Sequence, residues 1–199
     1  MGRKIGNKER LDVGLDVDGV LRNTFVGIAH AYLLGGGYKL YKWSDFTDYD
    51  FTKMMGIDKK EEFFRKYAET IFLKPRPMPY THLVSKLAED NNIHIVTSQF
   101  KGLENLTIDW LQKHNIPYDT IHFTWDKSQV NLDVLLDDLP KNLYSMPQNT
   151  IKVCYDAPYN HSWKGNRVHN MKEFVEFINK FHEDRKEVDR LGILRPDEC

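Results

Sequence analysis

A chain of 199 residues with 41% hydrophobic and 13% aromatic side chains can bury a full core, and its length suits one domain carrying an insertion. Its 28 Lys and Arg balance 29 Asp and Glu, so no overall positive field recommends duplex nucleic acid or an anionic membrane as the main partner. Cys154 and Cys199 make neither a disulfide framework nor a zinc pattern, the basic start MGRKIGNKER leads into no apolar signal core, and no run is long enough to span a bilayer, so a soluble cytoplasmic protein is expected.

In chain order, alternation of Leu11, Val13, Leu15 and Val17 predicts a first strand that runs into Asp16 and Asp18, with Gly19 directly behind. From about 24 to 76 the pattern changes. FVGIAHAYLL, a GGG turn, the aromatic WSDFTDYDF and then KKEEFFRKYAETIF carry helical patterns without a strand, which predicts a helical insertion. Pro75, Pro77 and Pro79 stiffen the return, because each fixes its own φ and restricts the residue before it. Beyond them, helical patterns in YTHLVSKLAEDNN, LENLTIDWLQKHN and MKEFVEFINKFHEDRKEV alternate with the short apolar runs IHIVTS (93–98), TIHF (120–123), DVLLD (133–137) and IKVCY (151–155). Strand alternating with helix predicts an α/β fold with a mainly parallel sheet covered on both faces. Its expected body is residues 1–23 and 77–199, with 24–76 as a small helical cap inserted after the first strand.

In an open parallel sheet, ligands bind outside the carboxyl ends of the strands. There the chain puts Asp16 and Asp18 after the first strand, Thr97 and Ser98 after the second, Lys127 after the third, and Asp137 and Asp138 after the fourth. Carboxylates without histidine or cysteine form a hard, oxygen-only donor set, which favours magnesium over zinc or copper. A divalent cation also removes the repulsion between like charges, about 4 kcal/mol for a pair at about 4 Å and an effective dielectric near 20. Magnesium usually keeps waters and takes one or two carboxylates plus a phosphate oxygen, so a phosphorylated small molecule is the expected ligand. Lys127 supplies a point charge for that phosphate, and Thr97 or Ser98 can donate hydrogen bonds to it. Asp16 is the expected nucleophile, forming an aspartyl phosphate, and Asp18 the expected acid and base. Each piece alone has a plainer reading: DVDG as a turn, Asp137 and Asp138 as a solvated turn before Pro140, Thr97 and Ser98 as a helix cap, Lys127 as surface. Their order after successive strands is what favours a site.

The segments LDVDGVL, IVTS, DK at 126–127 and LLDD at 135–138 resemble, in order, the four motifs of the haloacid dehalogenase superfamily of phosphohydrolases, whose sheet is Rossmann-like. Within it, PMPYTHLVSKLAEDNNIHIVTSQ, DKSQVNLDVLLDD and APYNHSWKGNRVHN are similar to the 5′(3′)-deoxyribonucleotidases, over residues 11–24 and 72–178. The resemblance implies a Mg2+-dependent phosphomonoesterase acting on (deoxy)nucleoside monophosphates. It also implies Asp16 as nucleophile and Asp18 as acid and base, with the ion held by Asp16, the backbone carbonyl of Asp18 and one acid of the pair Asp137 and Asp138. Thr97, Ser98 and Lys127 would hold the phosphate. Two departures bear on specificity: Thr24 and Phe25 stand where the family carries a base-stacking aromatic, and Met171 where it commonly has tryptophan after the late asparagine.

For substrate contacts, Phe25, Trp43 and Phe46 are candidates for a wall that stacks a base, with the insertion's own core as the alternative for its aromatics. Asn160 and Arg167 in the late loop are candidates for a phosphate or sugar hydroxyl, with a solvated loop as the alternative. Two rival functions stay open: the same chemistry on a sugar phosphate or polynucleotide 3′-phosphate, and a non-catalytic phosphate-binding module. A homodimer is kept as a candidate assembly.

Overall fold

The computed structural model describes residues 10–191 and, ahead of them, a two-residue antiparallel pairing of Lys4–Ile5 with Lys8–Glu9. Six strands form one sheet: β1 (Asp12–Leu15), β2 (Asn92–Thr97), β3 (Thr120–Phe123), β4 (Val134–Asp137), β5 (Ile151–Tyr155) and β6 (Asn166–Val168). Their order is β3-β2-β1-β4-β5-β6, and every neighbouring pair is parallel. The central strand β1 is apolar and buried, with Leu15 beside Ile95 on one flank and Leu136 on the other. Gly14 in that strand admits close packing: a Cβ there would lie 2.4 Å from Leu132 Cδ1.

Strand order reverses between β1 and β4, since the chain runs outward from β1 to β3 and then returns to the other side of β1. At such a switch point the connections leave in opposite directions, and a crevice opens at the carboxyl ends of the two strands. Asp16 follows β1 and Asp137 ends β4, so both acids stand at that crevice.

The insertion after β1 is helical. It contains α1 (Thr24–Leu34), α2 (Phe51–Met54), α3 (Lys60–Lys66) and a π-helical turn at Glu69–Leu73. Asn23 caps α1 by accepting from the Val26 amide, and Asp50 caps α2 through Lys53. The run KKEEFFRKYAETIF, read as helical in pattern, forms α3 and a π turn, and the turn's Phe72 carbonyl accepts a hydrogen bond from the buried Arg22. Ile28, Ala31, Phe46, Met55, Phe64, Ile71 and Phe72 form a separate apolar cluster, onto which Phe100, Leu103 and Leu106 of the sheet-forming part also pack. Gly27 lets α1 approach the π turn, for a Cβ would meet the Ile71 backbone at 2.8 Å. The proline-rich return is held by Trp110 Nε1, which donates to the Pro75 carbonyl at 2.7 Å.

The remaining helices are α4 (Val84–Asp90), α5 (Glu104–Lys113), α6 (Pro140–Ser145) and α7 (Met171–Leu191). The main core collects Leu15, Ile95, Leu136 and Val153 from the strands with Val84, Trp110 and Phe174 from the helices. The short edge strand β6 was not expected from the sequence, because Asn166, Arg167 and Val168 lack an apolar alternation.

Candidate active site

Four buried groups meet at the switch point. The Asp16 amide donates to the Leu136 carbonyl at 3.0 Å, which continues the β1–β4 pairing one residue past the strand. Lys127 opens a short 3-10 turn, Lys127–Gln129, capped by Asp126. Its Nζ donates to Asp16 Oδ1 at 2.7 Å and to Asp137 Oδ2 at 2.6 Å. Asp137 also accepts from the Leu139 amide at 2.8 Å and from Asn142 Nδ2. Asp138 accepts the hydroxyl hydrogen of Tyr159 on Oδ2, while its carbonyl accepts from Asn160 Nδ2 at 2.8 Å. Gly19 makes room for this acid: with φ at +84°, it sits where a Cβ would come within 2.4 Å of Asp138 Oδ2.

Asp16, Asp137 and Asp138 each offer a carboxylate oxygen, and these oxygens lie within 4.8 Å of one another. One ammonium among three buried carboxylates leaves negative charge uncompensated. Burial is the main cause that pushes Asp16 up to about 7, with Asp137 and Asp18 adding to it and Lys127 opposing. Asp138 rises well above the ordinary carboxylate range from burial first, then from Asp137 and Asp16. Burial works against the Lys127 ammonium, yet Asp137 and Asp16 outweigh it and hold the lysine above its usual value. A hard divalent cation relieves this imbalance, and the all-oxygen donor set fits one.

The side chain of Asp18 faces differently. Its Oδ1 accepts from Arg22 Nε at 3.0 Å, from Arg22 Nη2 at 2.7 Å and from the Thr24 hydroxyl. Arg22 is fully buried, donates also to the Phe72 carbonyl at 2.6 Å, and lies against the rings of Phe72 and Trp110. Among the described residues the carboxylates grouped for an ion are Asp16, Asp137 and Asp138, and the Asp18 side chain is not among them.

A cavity of about 550 Å³ opens over this cluster. Asp16, Asp18, Thr97, Ser98, Lys127 and Asp138 line its floor, and Phe25, Trp43, Phe51, Phe64, Phe100 and Trp125 contribute to its walls. Thr97 ends β2 and is buried, while the Ser98 hydroxyl donates to the Thr124 carbonyl at 2.8 Å. Phe25 and Trp43 thus reach the cavity, with ring centroids 5.2 Å apart.

Three residues expected at the substrate lie elsewhere. Phe46 is fully buried 4.4 Å from the Phe25 ring and 4.8 Å from Phe51, so it backs the wall rather than lining it. Asn160 is fully buried and spends its amide on the carbonyls of Asp138 and Tyr155 and on the Ala157 amide. Arg167 pairs with Asp156 at 2.6 Å and donates to Asn160 Oδ1 at 2.7 Å. Both residues fix the turn around Pro158–Asn160. Sequence reasoning also missed Arg22, Asn142 and Tyr159. Tyr159 and Asn160 are adjacent, so the segment was visible while the side chain that reaches the acid was not. Neither a buried arginine after LDVDGVL nor an asparagine in α6 carries a pattern of its own.

A family model described as 5′ nucleotidase, deoxy (pyrimidine), cytosolic type C protein (NT5C) matches residues 10–182. A nucleotidase of Clostridium acetobutylicum is 26% identical over 168 residues, covering 76% of this chain and 83% of that protein. A 5′(3′)-deoxyribonucleotidase of the same organism is 34% identical over 113 residues, 55% of this chain and 57% of that protein. The fold is that of haloacid dehalogenase-like hydrolases: a HAD-hydrolase of Bacillus subtilis, solved bound to magnesium, superposes with a TM-score of 0.60 at 11% identity, over 86% of this chain and 100% of that one.

Proposed function

The chain belongs to the cytosolic type C deoxynucleotidase family and is a nucleotidase, a phosphomonoesterase; from that premise we propose that it dephosphorylates (deoxy)nucleoside monophosphates through a phosphorylated Asp16. The observation that carries the reading is the convergence of Asp16, Lys127, Asp137 and Asp138 beneath an aromatic-walled cavity. In this reading residues 1–23 and 77–199 form the catalytic body, of which 1–3, 6–7 and 192–199 lie outside the described residues, and 24–76 form its cap. The cytosol is the compartment that the family's description supports, and among the described residues no helix is long and apolar enough to cross a membrane.

Asp16, Asp137 and Asp138 would hold magnesium, with the backbone carbonyl of Asp18 as a further ligand. When bound, the ion supplies charge neutralisation for the carboxylates and for the phosphoryl oxygens. Thr97, Ser98 and Lys127 bind the phosphate, Lys127 while fixing the Asp16 carboxylate. A carboxylate oxygen of Asp16 attacks phosphorus, forming an acyl phosphate as the bond from phosphorus to the ester oxygen breaks. Asp18 gives its proton to the leaving alkoxide, which departs as the nucleoside hydroxyl. All three hydrogen bonds to Asp18 end on Oδ1, which leaves Oδ2 for this proton. Water then attacks the acyl phosphate at phosphorus, Asp18 takes its proton, and inorganic phosphate leaves with Asp16 restored. The wall of Phe25 and Trp43 offers a stacking face for the base, an interaction of about 1 to 3 kcal/mol in other aromatic sites.

The test is a substrate panel of deoxynucleoside 5′- and 3′-monophosphates, sugar phosphates and 3′-phosphorylated oligonucleotides. Turnover of the mononucleotides above the rest is expected. Background activity on every nucleotide, with turnover of another class, would overturn the substrate assignment.

A further inference from the structure

We propose that Tyr159 is a positioning residue that sets Asp138 for the metal ion and makes ion affinity depend on the placement of the helical insertion. This rests on the magnesium site of the proposed function and adds to it the residue by which the two parts of the molecule communicate.

The Tyr159 side chain has two dissimilar ends. Its hydroxyl donates to Asp138 Oδ2, which fixes the rotation of that carboxylate and leaves Oδ1 as the oxygen for an ion. Its ring packs edge-on against two rings of the insertion, Trp43 at 5.8 Å between centroids and 81° between planes, and Phe51 at 5.5 Å and 61°. Trp43 and Phe51 also line the cavity, so one phenol joins the substrate wall to the acidic floor.

The backbone beneath Tyr159 is tied to the sheet end by hydrogen bonds that involve no residue of the insertion. Asn160 is buried and bonds Asp138, Tyr155 and Ala157, and Arg167 ties Asn160 to Asp156. The Cα of Tyr159 therefore belongs to the sheet end, while the direction of its ring is decided by what packs against it. Removing or shifting Trp43 frees the ring to rotate, and the hydroxyl then loses its line to Asp138. Partners that orient a metal-binding carboxylate typically change metal affinity about 10- to 100-fold when they are removed. Apart from Tyr159, none of the hydrogen bonds described for Asp138 reaches its carboxylate, since Asn160 bonds its backbone carbonyl.

The experiment is calorimetric titration of Mg2+ into the full chain without substrate, for the parent protein, Tyr159→Phe, Trp43→Ala and the double variant. Tyr159→Phe keeps the ring and removes only the hydroxyl, so its folding is expected to match the parent, as a melting curve in chelator verifies. The expected result is a Kd raised about tenfold or more by Tyr159→Phe, a smaller rise from Trp43→Ala, and no further rise when Trp43→Ala is added to Tyr159→Phe. A purely structural tyrosine would alter melting and leave the Kd alone. A Kd within twofold of the parent in Tyr159→Phe overturns the positioning role. A Trp43→Ala effect of equal size in both backgrounds overturns the coupling through Tyr159. A parent protein that binds no Mg2+ overturns the metal reading itself and this inference with it, a result distinguishable from the other two.

Discussion

The floor and the walls of the cavity are built by opposite means. The floor is charge held by backbone: Asp16, Lys127 and Asp137 stand at or just beyond strand ends, where sheet pairing and short turns fix each Cα before any side chain chooses a rotamer. The part of the wall that the insertion supplies is aromatic packing without sheet support: Phe25 and Phe51 pack edge to face with each other and with Phe46 behind them, and their positions depend on one another. Chemistry that needs carboxylates in fixed relation belongs on the rigid part, and selectivity that needs a shaped apolar surface can be carried by the part whose packing is easily altered. Arg22 and Tyr159 link the two, one through Asp18 and the Phe72 carbonyl, the other through Asp138 and Trp43.

Substitutions that separate floor from wall give this contrast its sharpest test. Asp16→Asn is expected to lower kcat by about 10⁴-fold or more on every phosphate monoester, as loss of a covalent nucleophile does elsewhere. Phosphate release at the parent rate would remove Asp16 from its role.

The floor should also respond to pH when no cation is present. Asp16 moves from 3.8 to about 7 in the folded chain, so the folded state binds its proton more tightly than the unfolded state does. Stability from this source is complete below about pH 4 and is lost as pH rises through about 7. Asp138 shifts in the same direction. Melting temperatures measured in chelator across that window should therefore fall with rising pH, and added Mg2+ should restore them most at the alkaline end. A flat profile would mean that the carboxylates are already compensated.

Arg22→Ala should destabilise the protein by about 3 kcal/mol in urea unfolding, because it leaves the Phe72 carbonyl and the Asp18 carboxylate without their buried partner. A loss under 1 kcal/mol would show that the floor and insertion hold together without it. The smallest effect belongs to the wall. With Mg2+ saturating for both proteins, so that any change in ion affinity is masked, Trp43→Ala should cost about 1 to 3 kcal/mol in kcat/KM for a nucleotide and leave p-nitrophenyl phosphate hydrolysis nearly unchanged. Equal losses on both substrates would make Trp43 a structural residue rather than a base contact.

The same contrast explains what could be read from the sequence. Asp16, Lys127 and Asp137 were legible because a strand's period and length place the residue that follows it, and parallel topology brings strand ends to one edge. Phe46 was not separable from Phe25, since both are aromatic residues in helical or irregular segments and only the packed structure decides which one faces inward. Asn160 and Arg167 misled for a related reason: polar side chains in a loop look available until the loop's own backbone is seen to need them. Strand β6 escaped because an edge strand of three residues, two of them polar, has too little alternation to register.

The most direct measurement traps the phosphoryl group. Protein quenched during turnover of a deoxynucleoside monophosphate with Mg2+ is treated with borohydride, which reduces an acyl phosphate to the alcohol, and the peptides are sequenced by mass spectrometry. The account predicts homoserine at position 16 and nowhere else, dependent on substrate. Reduction at position 18 or 137, or continued turnover with no reduced aspartate, would contradict it.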